Sequence, residues 1–395
     1  MNRINEMIRL QEYKNVKRVK LKDCCSAIFS GGTPLTSKEQ FYDGNIPWIR
    51  SGEIDFNRIF RSERNISQEG LENSSAKLIR PKSVVMAMTG ATVAKVATIE
   101  AEMAANQSVC ALEPNCLLDY RFLYFYLATK YLQLRNSAQG ALTSLNLERI
   151  KNIEIPLPPL NIQKEIVSIL DSFTSLIDKM KQEVEMRKKQ MEYYIDKFYG
   201  GDFDGMMRLA DIPGNSVAQF SDLGPIIRGK RFVRDDIRTV GQPCIHYGDM
   251  YTYYGTMAVT AKTFLERDFP KKMRYAHKGD VVIVGAGEND YDIGVGLVWM
   301  GEEPAAVHDA CYILKHHQIP MYISYYLRSN IYHQQLKKYV SSGKISSFSA
   351  EGLGKVYIPI QPEDKQRQIV SILDTFETYI SKLEKMIELR QKQYE

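Results

Sequence analysis

The chain is poor in several features that usually announce a function. Six cysteines, at positions 24, 25, 110, 116, 244 and 311, are spread over 395 residues without a Cys-x-x-Cys pair. That spacing suits reduced, mostly buried thiols in a cytoplasmic protein better than a disulfide framework or a zinc site. Met1 to Lys20 holds no apolar core with a cleavage site, and no long uncharged apolar run follows, so neither secretion nor a membrane span is expected. Gly-x-x-x-x-Gly-Lys-Ser/Thr and His-Glu-x-x-His are both missing, which removes the usual ATP loop and the zinc-protease helix. Histidines 308, 316 and 317 lie close together without a matching set of cysteines or carboxylates, so they read as core or surface residues rather than metal ligands. No nucleophile with a partnering base stands out. Gly285-Ala286-Gly287-Glu288-Asn289-Asp290 follows the strand Val281 to Val284 like the opening of a dinucleotide loop, but Asp290 takes the place of the third glycine and Tyr291-Asp292-Ile293-Gly294 is a poor helix start. A polar hairpin is expected there rather than a cofactor site.

What the chain does have is an apolar fraction of 44%, a charged fraction of 25% and a formal net charge of +5. These are values of a globular protein with room for two ordinary domains plus helices, and the charge permits a polyanionic partner without requiring one.

The dominant feature is a duplication. Ile166, Leu170, Phe173, Ile177, Met180 and Val184 are spaced alternately by four and three, and Ile369, Leu373, Phe376, Ile380, Leu383 and Ile387 repeat them 203 residues later. This is the seam of a coiled-coil helix, written twice. Ile166-Val167-Ser168-Ile169-Leu170-Asp171 returns as Ile369-Val370-Ser371-Ile372-Leu373-Asp374, and Ile155-Pro156-Leu157-Pro158-Pro159 returns as Ile358-Pro359-Ile360-Gln361-Pro362. A strand and a proline stop therefore precede each helix, with Asn161 and Asp364 as N-cap candidates. Each seam carries one charged exception, Arg187 and Arg390. A parallel pair would set the two guanidinium groups face to face, whereas an antiparallel pair separates them and lets a globular segment connect the helices without a long crossing.

Two similar globular segments surround these helices. Ser83 to Met88, Val93 to Ile99 and Ser108 to Leu112 read as strands, Tyr120 to Ala138 as a helix with a core-facing aromatic side, and Ile46 to Ile54 as a short buried strand ending in a polar turn. The second segment repeats this plan: Pro243 to Met250 stands where Pro47 to Ile54 stood, Val281 to Val284 answers Val84 to Ala87, and Met321 to Lys338 answers the aromatic helix. The predicted architecture is α/β (α+β): a recognition-type domain over 1–159, a central helix over 160–199, a linker over 200–215, a second such domain over 216–362 and a C-terminal helix over 363–395. It forms a pseudo-twofold internal repeat closed by an antiparallel coiled coil. The scaffold matches between halves while the loops differ, which suits recognition of two different things. Basic residues cluster in those loops: Arg50, Arg58, Arg61 and Arg64 in the first half, Arg228, Lys230, Arg231, Arg234 and Arg238, then Lys271, Lys272 and Arg274, in the second. Such residues among Tyr, Ser and Asn can contact phosphates and base edges, and are equally the composition of a solvated charged face.

Ser30-Gly31-Gly32-Thr33-Pro34, Gly44-Asn45-Ile46-Pro47-Trp48-Ile49-Arg50-Ser51-Gly52-Glu53-Ile54, Thr89-Gly90-Ala91-Thr92-Val93-Ala94-Lys95-Val96 and Ala105-Asn106-Gln107-Ser108, with the proline-led helix Leu157 to Ile166, resemble the specificity subunit of type I restriction-modification systems. Ala94 departs from that pattern, which commonly has glycine, and the second half keeps the Asn-Gln element only as His308-Asp309. The resemblance implies two target recognition domains, each reading one part of a bipartite, asymmetric site on double-stranded DNA. A helix pair would hold them apart, since Ile166 to Phe198 would be roughly 50 Å long as a helix. It implies Gly31, Gly32, Thr33, Arg50, Ser51, Arg58, Arg61, Lys95, Arg228, Lys230, Arg231, Arg234, His246 and Tyr247 as DNA-contact candidates, and no catalysis, metal or cofactor in this chain. S-adenosylmethionine, Mg2+ and ATP would sit on partners: two methylation subunits and the restriction/translocase subunits. Lys179, Lys181, Arg187, Lys188 and Lys189 are docking candidates on the helices. Two rivals remain: an enzyme using Gly285 to Asp290, which would carry a bound nucleotide or flavin, and a coiled-coil adaptor without sequence preference on DNA.

Overall fold

The computed structural model describes residues 16–138, 144–267, 269, 273–287, 293–341, 343 and 346–394. Contacts divide the chain into two compact units, 1–178 with 390–395, and 179–389.

In the first unit a five-stranded sheet runs in the order Cys25–Ser30, Val109–Pro114, Ser83–Ala87, Val96–Ile99, Arg58–Ile59. Its central strands are near-continuous apolar runs because both faces are covered. Val84, Met86, Cys110 and Leu112 pack with Phe122 and Leu123 of the helix Tyr120–Thr129 on one side. The alternate residues Val85, Ala87, Val109 and Ala111 pack with Ile49, Met103 and Ala105 on the other. The latter three belong to a four-stranded sheet, Asn65–Ile66, Ile46–Ile49, Met103–Ala105, Leu78–Ile79. The predicted aromatic helix is broken at Lys130, where Tyr120–Thr129 ends and Tyr131–Ser137 begins.

The second unit repeats this strand for strand. Ile226–Arg228, Cys311–Leu314, Val281–Val284, Gly296–Trp299 and Met257–Ala258 form the five-stranded sheet, and Thr263–Leu265, Gln242–Ile245, Ala305–Val307 and Tyr275–Ala276 the four-stranded one. Both halves pair Ile49 with Ala105, or Ile245 with Val307, in a parallel bridge. Within the stretch read as a linker, Phe203–Leu209 is helical and Met206 is buried. Gly285 is a glycine for packing: a Cβ there would lie 2.3 Å from the Tyr312 ring. Ala286–Gly287 pairs with Ser346–Ser347, and residues 288–292 lie outside the described residues.

The long helices run Leu160–Phe198 and Glu363–Tyr394. Where both belong to the second unit they are antiparallel, with Lys188 on Glu384 at 2.9 Å and the Tyr194 and Phe376 rings 5.6 Å apart. Met180, Val184, Ile369, Leu373, Ile380 and Leu383 are buried, Phe376 and Ile387 pack against them, and the seam extends through Met191 and Ile195. Ile177 is also buried and Phe173 half-buried, while Ile166 and Leu170 pack on the core of the first unit. Arg187, the charged exception, is held by Glu183 and Gln190 and lies over the Tyr379 ring. No helix among the described residues is long and apolar enough to cross a membrane.

The helix starts differ from expectation. Asn161 and Asp364 are not N-caps, because each helix begins one residue earlier and the carbonyls of Pro159 and Pro362 accept the first amides. The side chains that anchor the starts are Gln163 and Gln366, both buried and 203 apart. Gln163 accepts from the Asp119 amide at 2.8 Å and donates to the carbonyls of Leu117 at 2.9 Å and Pro158 at 2.8 Å. Gln366 does the same with the Ile319 amide, the Gln318 side chain and the Gln361 carbonyl. A buried amide with three good bonds fixes the angle at which a helix leaves its domain.

Ala94, the departure from the family pattern, has φ +67°, a conformation in which Cβ crowds the following carbonyl. Its amide donates to Ala87 at 2.8 Å, and the equivalent amide of Gly294, φ +86°, donates to Val284 at 2.8 Å. Ala94→Gly is therefore expected to stabilise the first unit by up to about 1 kcal/mol, relief of strain less the added chain entropy of glycine. A lower midpoint in thermal unfolding would contradict this.

Candidate nucleic-acid interface

The motif loops of the first half meet at one end of its sheets. The Gly31 amide donates to the Val109 carbonyl at 3.0 Å and the Gly32 amide to Ala105 at 2.8 Å. A Cβ on Gly31 would lie 2.1 Å from the Ala105 oxygen, and one on Gly32 2.2 Å from the Ala76 nitrogen. The close approach these glycines allow is thus to the protein's own backbone. Both are buried, so they shape the loop rather than offer a contact. Beyond them Thr33 hydrogen-bonds Gln107 at the partly exposed surface. Arg50 donates through Nη2 to Glu63 at 2.8 Å, while its Nε is buried without an acceptor. Ser51 opens a 3-10 turn whose carbonyl accepts from Thr92 at 3.0 Å, which joins the Gly90–Thr92 motif to the Arg50 strand end.

Two further first-half candidates are, like Arg50, engaged by carboxylates. Arg58 donates from Nε to Glu100 at 2.8 Å. Burial alone would raise the Glu100 carboxyl, and the bonds from Arg58 and Thr98 more than offset it, leaving the group below its ordinary range. Lys95 is bound to Asp55 at 2.6 Å. Both are engaged in ion pairs that sequence did not reveal, because the carboxylates are about 40 residues away. Arg61 and Arg64 are exposed and have no ion-pair partner among the described residues.

The same hydrogen-bond frame recurs in the second half with different side chains. Gly229 donates to Cys311 at 2.9 Å and Lys230 to Val307 at 2.9 Å, so Gly229, Lys230 and Arg231 stand where Gly31, Gly32 and Thr33 stood. The His308 amide donates to Ile245 at 3.1 Å as the Asn106 amide does to Ile49 at 2.9 Å. His246 and Arg50 each follow the central strand and precede a short helix. Around this frame Phe232, His246, Tyr247 and His308 form a ring cluster, with centroids 4.7 Å apart for the two histidines and 5.0 Å for Phe232 and His308. Arg228 is tied to Asp309 through the carbonyl at 2.8 Å and the carboxylate at 4.0 Å. Lys230, Arg231 and Arg234 are exposed and, among the described residues, have no ion-pair partner. Sequence reasoning missed Phe232 as a neighbour of the site; the repeat itself sets His308 at the place of Asn106, but not its packing against His246 and Phe232. Lys271 and Lys272 lie outside the described residues.

The family model for the type I restriction modification DNA specificity domain matches twice, over residues 13–186 and 214–391. The chain belongs to this specificity family. A type I restriction enzyme specificity subunit of Haemophilus influenzae is 30% identical over 317 residues, 74% of each chain. The EcoR124I/EcoR124II specificity subunit of Escherichia coli is 30% identical over 182 residues, 43% of this chain and 45% of that one. In fold, a chain from a type I restriction-modification system gives a TM-score of 0.61 at 17% identity, covering 96% of this chain and 94% of that one. The S subunit of M. genitalium gives 0.54 at 15% identity, with the same coverage. As a DNA specificity subunit the chain has two recognition domains, and the frame just described is the part that they share.

The six histidines all follow residue 245, so in this specificity subunit only the second unit titrates through imidazole. His246, His308, His316 and His333 are each held below the ordinary value, burial being the leading cause. Groups whose folded form resists protonation contribute fully above their unfolded value, near pH 6.5, and their contribution is lost as pH falls below it. Acidifying from about pH 7.5 to about pH 5.5 is therefore expected to loosen the second unit before the first. Amide hydrogen exchange resolved by unit checks this; an earlier rise in the first unit would contradict it.

Proposed function

We propose that each globular half reads one part of a split, asymmetric DNA site, that the paired helices set the separation of the two parts, and that the chain acts without catalysis of its own. The observation that carries this reading is one hydrogen-bond frame built twice and furnished differently. Thr33, Asn106 and Arg50 occupy it in the first half; Arg231, His308 and His246 occupy it in the second. One set offers a hydroxyl, an amide and a guanidinium, the other a guanidinium and two imidazoles, and such different groups suit two different base sequences. On this reading 1–159 and 216–362 are the recognition domains and the helices over 160–199 and 363–395 the spacer.

The partners would be two methylation subunits binding S-adenosylmethionine, with restriction/translocase subunits supplying ATP and Mg2+ chemistry in the full cytoplasmic complex. Exposed apolar side chains on the helices support two equivalent docking surfaces. Leu176 and Tyr379 are 41% and 44% exposed, Met186 and Leu389 53% and 51%, and each pair is 203 residues apart. A repeated outer stripe suits two copies of one partner. Arg187 and Lys188 are engaged within the helix pair, so Lys179, Lys181 and Lys189 are the stronger docking cations.

Co-expression with the methylation subunit in a methylation-free host, followed by mapping of modified adenines, tests the reading. A single split motif is expected. Arg50→Ala should weaken contact with one half of it and Arg231→Ala with the other; an effect of both on the same half would overturn the two-domain assignment.

A further inference from the structure

His246 occupies the Arg50 position of the repeat, yet its chemistry differs. Its Nδ1 accepts a hydrogen bond from the Gly248 amide at 3.2 Å, capping the helix Tyr247–Thr252. An Nδ1 that accepts leaves the ring proton on Nε2, so the neutral imidazole is an oriented Nε2–H donor. Ring packing fixes its direction, with Tyr247 at 4.5 Å, His308 at 4.7 Å and Phe232 at 6.0 Å between centroids. The residue is partly exposed, and Nε2 has no partner among the described residues. The charged or titratable groups around it are Asp249 on its own helix, Arg234 beside Phe232, and His308 with Asp309 and Arg231. Burial outweighs Asp249 and, with Arg234, favours the neutral ring. His308 has no comparable freedom, since its Nδ1 accepts from the Ala310 amide at 3.1 Å and the Phe232 carbonyl lies against the ring.

We propose that His246 is a base-reading residue of the second half, a single Nε2–H donor that selects a keto-bearing base, guanine or thymine, over an amino-bearing one at one position of the half-site. The proposal rests on the reading that this half contacts DNA. At the inner position of the major groove guanine O6 and thymine O4 accept, whereas cytosine N4 and adenine N6 present donors there that would face the Nε2–H proton to proton; adenine N7 accepts only at the outer position. Phosphate contact falls instead to the exposed, unpaired Lys230, Arg231 and Arg234, because only a charged group releases counterions. Arg50 in the first half is charged and donates to Glu63, whereas His246 is neutral with its Nε2 uncommitted.

The test uses the assembled complex and a library randomised in the second half-site, with methylation as readout. His246→Asn is the informative variant: its side-chain oxygen can still cap the Gly248 amide, but no donor reaches the Nε2 position. Retained reading of the first half-site in the same molecules shows that the variant folds and assembles. The wild type is expected to accept at one position only the pairs with guanine or thymine on one given strand and to exclude the inverted pairs, and His246→Asn to weaken that preference about five- to tenfold there alone, leaving the salt slope unchanged. The wild-type preference should be flat from about pH 7 to about pH 8.5. Unchanged selectivity in His246→Asn at every position, or a uniform loss over all sequences with a shallower salt slope, would overturn the assignment. If no split site is methylated by the wild type either, the DNA reading of the whole chain fails; if a split site persists and His246→Asn reads it unaltered, only this proposal does.

Discussion

Gln163→Ala is expected to lower the stability of the first unit by about 3 kcal/mol, far more than an average polar substitution. Three backbone groups lose their partner at once: the Asp119 amide and the carbonyls of Leu117 and Pro158. Each unsatisfied buried group costs about 1–3 kcal/mol, and water entering the vacated space recovers part of it. Asp119 is also the N-cap of Tyr120–Thr129, so loosening it affects a second helix. Gln366→Ala should act alike in the second unit, where it frees the Ile319 amide and the Gln361 carbonyl. The contrasting variant is Asn161→Ala. Asn161 is exposed within the first helical turn, so alanine there should be neutral or stabilise by about 0.5 kcal/mol. Unit-resolved hydrogen exchange over the first turns of each long helix separates the cases, and is preferable to one unfolding midpoint because two units need not unfold together. A loss of about 1 kcal/mol for Asn161→Ala with little change for Gln163→Ala would restore the capping role and remove the clamp.

The simultaneous replacement of Lys230, Arg231 and Arg234 by alanine should reduce the salt dependence of DNA binding by about 3 in log–log slope, at roughly 0.9 per neutralised phosphate. Between about 50 mM and about 200 mM salt this corresponds to a roughly 40-fold difference in how steeply wild type and variant weaken. Availability sets the difference. These three cations are exposed and without ion-pair partners among the described residues, whereas Arg58, Lys95 and Arg228 face Glu100, Asp55 and Asp309. Arg58→Ala should accordingly leave the slope almost unchanged while removing the partner of a carboxylate that is only 9% exposed. Binding titrations of the assembled complex at several salt concentrations decide the matter. A slope change for Arg58→Ala as large as for one of the loop cations would show that the ion pair opens on DNA.

Sequence pattern and structure part company at identifiable residues. The strands Ser83–Ala87 and Val281–Val284 and the seam from Met180 to Val184 were legible because burial imposes a period on a single segment. The helix starts were misread because Asn161 and Asp364 satisfy a local capping rule, while the amides they would have capped are already satisfied by Pro159 and Pro362 and the anchoring glutamines bond to groups more than 40 residues away. Ala94 was flagged by resemblance, and its positive φ supplies the physical reason for glycine at that place.

By itself the sequence determined the duplication, the two long helices, their antiparallel sense and the family, since each is written in the order and spacing of residues along one stretch repeated once. Only the tertiary structure decided which motif residues are available to a ligand. It buried Gly31 and Gly32 against their own sheet, paired Arg58 and Lys95 with distant carboxylates, and left Lys230, Arg231, Arg234 and the Nε2 of His246 uncommitted. Periodicity belongs to a segment and survives in the sequence; availability depends on which remote group the fold brings within about 3 Å, and no local pattern encodes that.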